Sequence, residues 1–518
     1  MTTPLLTMGD ALDLNARRYP DRIGARDLTR AMTFRRWNER ACRLANALLG
    51  LGLAKGDRVA ILAYNSVAWL EIYAATAKSG IVMVPINFRL LAPDIQYILE
   101  NSGAKAIIVQ EDFFDRIESI RPALSIAGDR FIGLGEGSAR QGYRAYESLI
   151  EAGAAAEPSV AVGPDDLWVL IYTSGTTGRP KGAMRTHGSH ALLNLATLAD
   201  LGFSQRDTGL LVMPMCHANS LFFASAFAYA GAECCVYDAK SFDPEHLLRT
   251  LAEQRATFTS LVPTHYIMML GLPENVRARY DVGGVKRLLI SSAPARRDTK
   301  LAILDYFRNS GLLEMYGSTE QGWATLLGPE EQLAKLGSVG RELTGTGPVK
   351  LLDEAGNEVK DGEVGEIFTR TPWCFSGYWN LPEKTAEAFR GPYLSVGDMG
   401  RRDADGFYYL VDRKNNMIIS GGENIYPTEV ENVVGGHPKV QDVAVVGRPH
   451  EKWGEAVHAF IVLRPGAVAT EQEILDWCTD KLAGYKRPRS ATFLADADMP
   501  RTATGKILHR LLRDRVPK

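Results

Sequence analysis

Neither sign of charge is in excess in this sequence: 59 basic residues stand against 61 acidic ones, for a formal net charge of -2. Without a global field there is little to draw in nucleic acid or an anionic membrane, so recognition must be local. The six cysteines (Cys42, Cys216, Cys234, Cys235, Cys374, Cys478) form no C-x-x-C pair and no zinc-ligand spacing. Redox dithiol and zinc-ribbon chemistry is thereby excluded, and the thiols read as spectators in a reduced, cytoplasmic protein. The N-terminal residues lack a basic segment followed by an apolar run of secretory length, so no export is expected. One stretch, Met213 to Ala232, has no charged side chain when His217 is neutral and is long enough to span a bilayer. Pro214, His217, Asn219 and Ser220 at one end, with Glu233 directly after it, favour a buried helix lining a cavity, and no integral membrane association is expected.

What is present is enough for more than one core: 518 residues, 46% hydrophobic. To about residue 160, helix and strand signals alternate. Thr33 precedes a helix with Trp37, Ala41, Leu44 and Leu48 on one face, and Arg58 to Leu62 then reads as a strand. Ile81 to Pro85 and Ala106 to Val109 follow as strands between helices over 69–78 and 92–100. A second block to about residue 325 predicts strands near 208–213, 233–237, 258–262 and 287–291. Such alternation implies parallel sheets covered by helices on both faces. From 337 to about 411 the texture is short strands and turns, with Asp353–Gly356 and Asp403–Gly406 as hairpin turns. Strands over 442–446 and 459–463 and a capping box Thr470-x-x-Glu473 suggest a small separate domain at the end.

The stretch around which the chain is organised is Tyr172-Thr-Ser-Gly-Thr-Thr-Gly-Arg-Pro-Lys-Gly182. It leaves an apolar, strand-like run (Leu167 to Ile171) and enters a helix predicted over 187–198. Four hydroxyls (Thr173, Ser174, Thr176, Thr177), glycines that include Gly175 and Gly178, and the cations Arg179 and Lys181 suit a triphosphate. A Walker loop is disfavoured because G-x-x-x-x-G-K-[ST] requires Gly-Lys-Ser/Thr where Gly178-Arg-Pro-Lys stands. On composition alone the alternative is a plain Gly/Thr/Ser surface loop.

This string resembles the signature loop of the adenylate-forming superfamily, which includes acyl-CoA ligases, luciferases and peptide-synthetase adenylation domains. The later motifs arrive in that family's order. Ser291-Ser-Ala-Pro294 and Glu314-Met-Tyr-Gly-Ser-Thr-Glu320 resemble its adenine-pocket and Y-G-x-T-E motifs. The resemblance implies that Ser292, Ala293, Pro294, Tyr316 and Gly317 surround the base, that Thr319 bonds the α-phosphate and that Glu320 holds Mg²⁺. Asp398 and Arg413 match the ribose-binding positions, and Pro500-Arg-Thr-Ala-Thr-Gly-Lys506 carries the adenylation lysine, Lys506. A carboxylate attacking an anionic phosphorus needs a cation that offsets their repulsion. Two residues beyond Arg413, at the hinge, the family usually has Asp or Lys; this chain has Asn415, which departs from the pattern but tolerates unusual backbone angles.

For the thiol step, the resemblance places CoA past Ser420, Gly421 and Gly422, on a strand whose glycines leave room for a narrow ligand, with Trp453, Tyr485, Lys486 and Arg487 as further contacts. For the acyl group it implies His217 at the carboxylate entrance, as a candidate catalytic residue, and Asn219, Phe223, Gln321 and Trp323 as walls. No Arg or Lys falls in these pieces, which argues against a second carboxylate, and Trp323 suggests a medium-chain, cyclic or aromatic monocarboxylic acid.

The fold expected is α/β: an N-terminal domain over 1–412, built of two α/β sheet subdomains (about 1–165 and 166–336) and a β subdomain (337–412), followed by a small mobile α+β domain over 413–518. The function the resemblance implies is that of an AMP-forming acyl-CoA ligase, most like the bacterial enzymes, using ATP, Mg²⁺ and coenzyme A through an acyl-adenylate. An adenylating enzyme with another acceptor, such as a carrier-protein thiol or the oxygen of luciferases, remains open, as does a non-catalytic nucleotide-binding protein. A homodimer, and a lysine acetyltransferase acting on Lys506, are further partners the reading admits.

Overall fold

The computed structural model describes residues 7–135, 142–173, 179–291, 295–420, 423–502 and 505–516, and of Asn415 the backbone only. The chain divides into two compact units. The first is Met1–Leu336 with Gly340–Pro348 and Thr369–Leu394; the second is Gly337–Val339 with Val349–Phe368 and Ser395–Lys518.

In the first unit one sheet runs in the order Gly377–Tyr378, Lys181–Thr186, Leu167–Thr173, Val82–Pro85, Arg58–Leu62, Ala104–Gln110, Phe131–Leu134 and Arg144–Ala145. It is parallel from Leu167–Thr173 onward, while Lys181–Thr186 and Gly377–Tyr378 are antiparallel at one edge. A second sheet runs in the order Ala31–Thr33, Ile23–Arg26, Glu233–Val236, Thr208–Leu211, Phe258–Leu261, Arg287–Ile290, Gly311–Ser318 and Gly322–Leu327. Among these eight strands it too is parallel, apart from the first and last pairs, which are antiparallel.

The sheets do not follow the expected break near residue 165. Leu167–Thr173 and Lys181–Thr186 pair into the first sheet, and Ile23–Arg26 pairs with Glu233–Val236 in the second. Periodicity reveals what type an element is; its partner is chosen by burial between segments far apart in sequence.

Local chemistry accounts for the element ends. The Thr33 and Thr186 hydroxyls accept from the amides of Arg36 (3.2 Å) and Ser189 (3.1 Å), capping helices Phe34–Gly50 and His187–Leu201. The latter ends at Gly202, whose φ of 62° is the left-handed conformation glycine adopts freely. Within 213–232 the helix is Ala218–Ala230. It is buried from Ala218 through Ala228 and packs Phe222, Phe223 and Phe227 with apolar residues of both sheets, as a helix apolar on every face must. Among the described residues no helix is long and apolar enough to cross a membrane.

In the second unit, strands Lys350–Leu352, Gly365–Phe368, Asp398–Arg402 and Tyr408–Arg413 form an antiparallel ladder. The expected turns join its parts: the Gly356 amide donates to the Asp353 carbonyl (3.1 Å) and the Gly406 amide to that of Asp403 (3.0 Å). A further sheet orders Glu423–Ile425, Ile418–Ser420, Gly454–Leu463 and Val440–His450, with Ser490–Phe493 parallel to Gly454–Leu463. Ser420–Asn424, expected as one strand, contributes to two: Ser420 ends Ile418–Ser420 and Glu423 begins Glu423–Ile425, the two strands paired antiparallel with Ser420 opposite Glu423. Only half of the expected capping box forms. Thr470 accepts from the Glu473 amide, but the Glu473 carboxylate pairs with Lys439 at 2.7 Å.

Candidate functional site

Strands Leu167–Thr173 and Lys181–Thr186 bring Thr173 opposite Lys181, so the loop between them begins and ends at one point. Ser174, Gly175, Thr176, Thr177 and Gly178 lie outside the described residues, as do Ser292, Ala293, Pro294, Gly421 and Gly422. At the loop's mouth the Thr173 hydroxyl donates to Glu320 Oε1 (3.2 Å), and the Tyr378 hydroxyl donates to the same oxygen (3.0 Å). The Lys181 ammonium sits over the Tyr378 ring, 4.0 Å from its centroid. Two motifs separated by well over a hundred residues thus meet at one carboxylate, which is buried apart from a 7% exposed remnant.

Glu320 sits in the turn of a tight hairpin, Gly311–Ser318 to Gly322–Leu327, in which Gly317 has no substitute. A Cβ there would lie 2.1 Å from the Gly322 carbonyl oxygen. Tyr316 and Thr319 are buried beside it. Gln321, expected as a wall of the acyl pocket, braces its surroundings: its amide nitrogen donates to the Tyr316 hydroxyl (3.2 Å) and its amide oxygen accepts from Thr369 (2.8 Å).

The other acyl-pocket candidates also have structural occupations. His217 caps helix Ala218–Ala230, its Nδ1 accepting from the Asn219 amide at 3.2 Å, and burial lowers its pKa to about 4. It is therefore neutral at physiological pH, suited to accept or donate a hydrogen bond but not to act as a cation. Asn219 donates to Ser260 Oγ (3.0 Å). Phe223 packs against Phe258 and Trp323, at ring separations of 4.7 and 5.5 Å, and Phe222 meets Trp323 edge-on at 5.4 Å.

In the second unit, Arg413 Nε lies 3.1 Å from Asp398 Oδ1 across the Asp398–Arg402/Tyr408–Arg413 pair. Lys506 belongs to the same neighbourhood. Although the residue as a whole is exposed, burial around its amine lowers the pKa to about 8; the Arg413 cation adds to the effect, and Asp398 and Asp412 oppose it. The ribose-binding and adenylation-lysine candidates are thus within one electrostatic field. Asp412 itself accepts from the Thr428 amide and hydroxyl (2.9 and 3.0 Å) and from Asn416 (3.2 Å). The hinge candidate Asn415 lies in the single turn Lys414–Asn416.

Of the CoA candidates, Ser420 pairs with Gly454, next to the exposed Trp453. Tyr485 is exposed, but the Lys486 ammonium is engaged by Glu429 at 2.7 Å, and Arg487 Nε donates to the Leu482 carbonyl (2.8 Å). Burial pushes the thiols of Cys42, Cys216 and Cys235 up to about 12, consistent with spectators.

Residues 12–379 match the AMP-binding enzyme family, and residues 429–506 match the AMP-binding enzyme C-terminal domain. This chain belongs to the AMP-binding enzymes. A feruloyl-CoA synthase from Amycolatopsis sp is 35% identical over 502 residues, covering 96% of this chain and 97% of that protein. The long-chain-fatty-acid–CoA ligase FadD13 of Mycobacterium tuberculosis is 37% identical over 496 residues, 94% of each. The crystal structure of the anthranilate CoA ligase AuaEII in complex with anthranoyl-AMP superposes with a TM-score of 0.89 at 30% identity, covering 99% of this chain and 98% of that one. With family membership come the reaction class, an AMP-forming acid–thiol ligase, and the substrates ATP, with Mg²⁺, and CoA.

The donor set of this AMP-binding enzyme fits magnesium. Glu320 is a buried carboxylate met by two hydroxyl donors, and no cluster of three or more His, Cys, Asp or Glu side chains suited to a metal exists among the described residues. One carboxylate completed by substrate phosphates is what Mg²⁺ commonly takes, and bound there it would neutralise phosphate charge.

Tyr378 was not legible as a site residue, because strand Gly377–Tyr378 joins the loop's hairpin only through nonlocal pairing. In its expected role as the adenylation lysine, Lys506 carries a testable pH dependence. Its ammonium form predominates below about 8 and is lost above it, so the adenylation rate constant should fall as pH rises through about 8. Thioester formation from supplied acyl-AMP should show no matching limb, a contrast that single-turnover pH profiles of the two half-reactions would reveal.

Proposed function

We propose that this ligase activates a monocarboxylic acid with a compact apolar body, cyclic, aromatic or of medium chain length, and passes it as an acyl-adenylate to CoA. The observation that carries the reading is the convergence of the Thr173 and Tyr378 hydroxyls on the buried Glu320 carboxylate, with Lys181 over the Tyr378 ring and Phe222, Phe223 and Trp323 packed in the same unit. Hydroxyls and a cation suit the phosphates, Glu320 suits Mg²⁺, and the ring cluster offers apolar surface for a compact acid. Relatives named for feruloyl and anthranilate substrates agree with a ring-bearing acid, whereas the fatty-acid relative is named for long-chain acids, the class that the test separates.

In this reading Lys506 offsets the repulsion between the acid's carboxylate and the α-phosphate, while Asp398 and Arg413 bind the ribose. Ser420, Trp453 and Tyr485 contact CoA, and Lys486 and Arg487 do so on releasing their present partners. Free, mostly buried cysteines support a reducing, cytoplasmic setting.

The test is a panel of straight-chain, cyclic and aromatic acids assayed for AMP release with and without CoA. The expected outcome is CoA-dependent thioester formation, with kcat/KM for a ring-bearing or medium-chain acid at least about tenfold above that for a long-chain one, since pocket contacts discriminate by 1–3 kcal/mol. Preference for a long chain would overturn the substrate reading. AMP release without thioester would point to another acceptor.

A further inference from the structure

Arg185 is completely buried, yet among the described residues its hydrogen-bond partners include no acidic side chain. It sits on strand Lys181–Thr186, four residues beyond the phosphate loop's lysine. Its Nη1 donates to the Thr319 carbonyl and its Nη2 to the Trp373 carbonyl, both at 2.9 Å, while Nε points to His190 Nε2 at 3.4 Å. The guanidinium carbon lies over the Phe222 ring, 4.8 Å from the centroid. Burial lowers its pKa to about 10 against the opposing influence of Cys374 and Glu320, so it remains a cation at neutral pH.

Burying a charge without a counter-ion is costly, and an apolar side chain would fill the same space without that cost. What the guanidinium supplies instead is a planar fork that satisfies two carbonyls at fixed spacing, which a lysine does not reproduce. Those carbonyls are informative. Thr319 immediately precedes Glu320, and Trp373 opens the segment whose Phe375 amide donates to the Glu320 carbonyl at 2.7 Å and whose Tyr378 hydroxyl meets the Glu320 carboxylate. On its other face the guanidinium covers Phe222, which packs edge-on against Trp323.

We propose that Arg185 is a positioning residue for adenylation, tying the Thr319–Glu320 peptide, the Trp373–Tyr378 segment and the Phe222–Trp323 wall into one rigid piece. The proposal rests on Glu320 being the carboxylate that serves MgATP. Arg185 touches no reacting atom; it fixes where the Thr319 hydroxyl and the Glu320 carboxylate stand, and misplacement of about 1 Å at such a site can cost 10²-fold in rate.

The experiment compares Arg185→Met and Arg185→Lys with the native enzyme in both half-reactions, at varied Mg²⁺, alongside thermal melting. Arg185→Met is expected to lower kcat for carboxylate-dependent pyrophosphate exchange by about 30- to 100-fold and to raise the Mg²⁺ concentration for half-maximal rate, with thioester formation from supplied acyl-AMP changed by no more than about twofold. Arg185→Lys, which keeps the charge and loses the fork, should fall between, and it carries the comparison if the methionine variant does not fold. Equal loss of both half-reactions would mean a general structural role and overturn the proposal, as would native-like exchange and Mg²⁺ dependence. Glu320→Gln, measured in the same series, separates the two levels. If it too is native-like, the reading of Glu320 has failed; if it is impaired while the Arg185 variants are not, only the role of Arg185 has.

Discussion

Replacing Lys506 with alanine should reduce acid-dependent pyrophosphate exchange by about 10²-fold or more while leaving conversion of supplied acyl-AMP and CoA to thioester near the native rate. The asymmetry follows from the charges involved. In the first half-reaction an anionic carboxylate attacks an anionic phosphate, and a cation close to both offsets repulsion that grows as the groups approach. In the second, a thiol displaces AMP from an adenylate already formed, and that repulsion is gone. Lys506 is suited to the first role because its amine, at a pKa of about 8, is still mostly protonated at neutral pH yet sits where burial and the Arg413 cation oppose its charge. An arriving anion relieves that opposition. Nε-acetylation would remove the same charge and should reproduce the same split. Parallel loss of both half-reactions in Lys506→Ala would refute the assignment.

How far the site was legible depends on how local its signals are. The strand–loop–helix context of residues 167–201 was readable because an apolar run, a Gly/Thr/Ser string and a helical pattern follow one another directly, and the structure places the strand at Leu167–Thr173 and the helix at His187–Leu201. Asp353–Gly356 and Asp403–Gly406 were readable as turns for the same reason.

Gln321 was not. Its adjacency to Glu320 suggested a wall, and nothing local showed that its amide also bonds Tyr316 and Thr369, the latter far along the chain. The partner of Lys486 was not legible either: a lysine in a basic run carries no trace of it, and Glu429 became visible only with helix Pro427–Gly435 in place. Arg185 and Tyr378 escaped altogether. An arginine flanked by Met184 and Thr186 reads as solvated, and only the shared strand face with buried Ala183 hinted otherwise. Composition and order revealed which chemistry the chain carries, whereas the struts that aim it come from contacts between distant segments.

Glu320→Gln isolates the charge at the centre of the first unit with little change in shape. The amide keeps an oxygen that can accept from the Thr173 and Tyr378 hydroxyls, now found at 3.2 and 3.0 Å from Glu320 Oε1, so neither hydroxyl need be left without an acceptor. What disappears is the negative charge that fits Mg²⁺ and, through it, the phosphate oxygens. Adenylation is therefore expected to fall by about 10²-fold, with the Mg²⁺ dependence displaced to higher concentration and the melting temperature nearly unchanged. Thioester formation from supplied acyl-AMP, whose leaving group is AMP rather than pyrophosphate, should lose far less. Tyr378→Phe makes the complementary measurement: it keeps the carboxylate but removes one of the two hydroxyls that orient it, and should produce a smaller loss of the same kind. If Glu320→Gln adenylates at the native rate with an unshifted Mg²⁺ requirement, the carboxylate that unites the phosphate loop with the Tyr316–Glu320 motif is structural, and the metal must be held elsewhere.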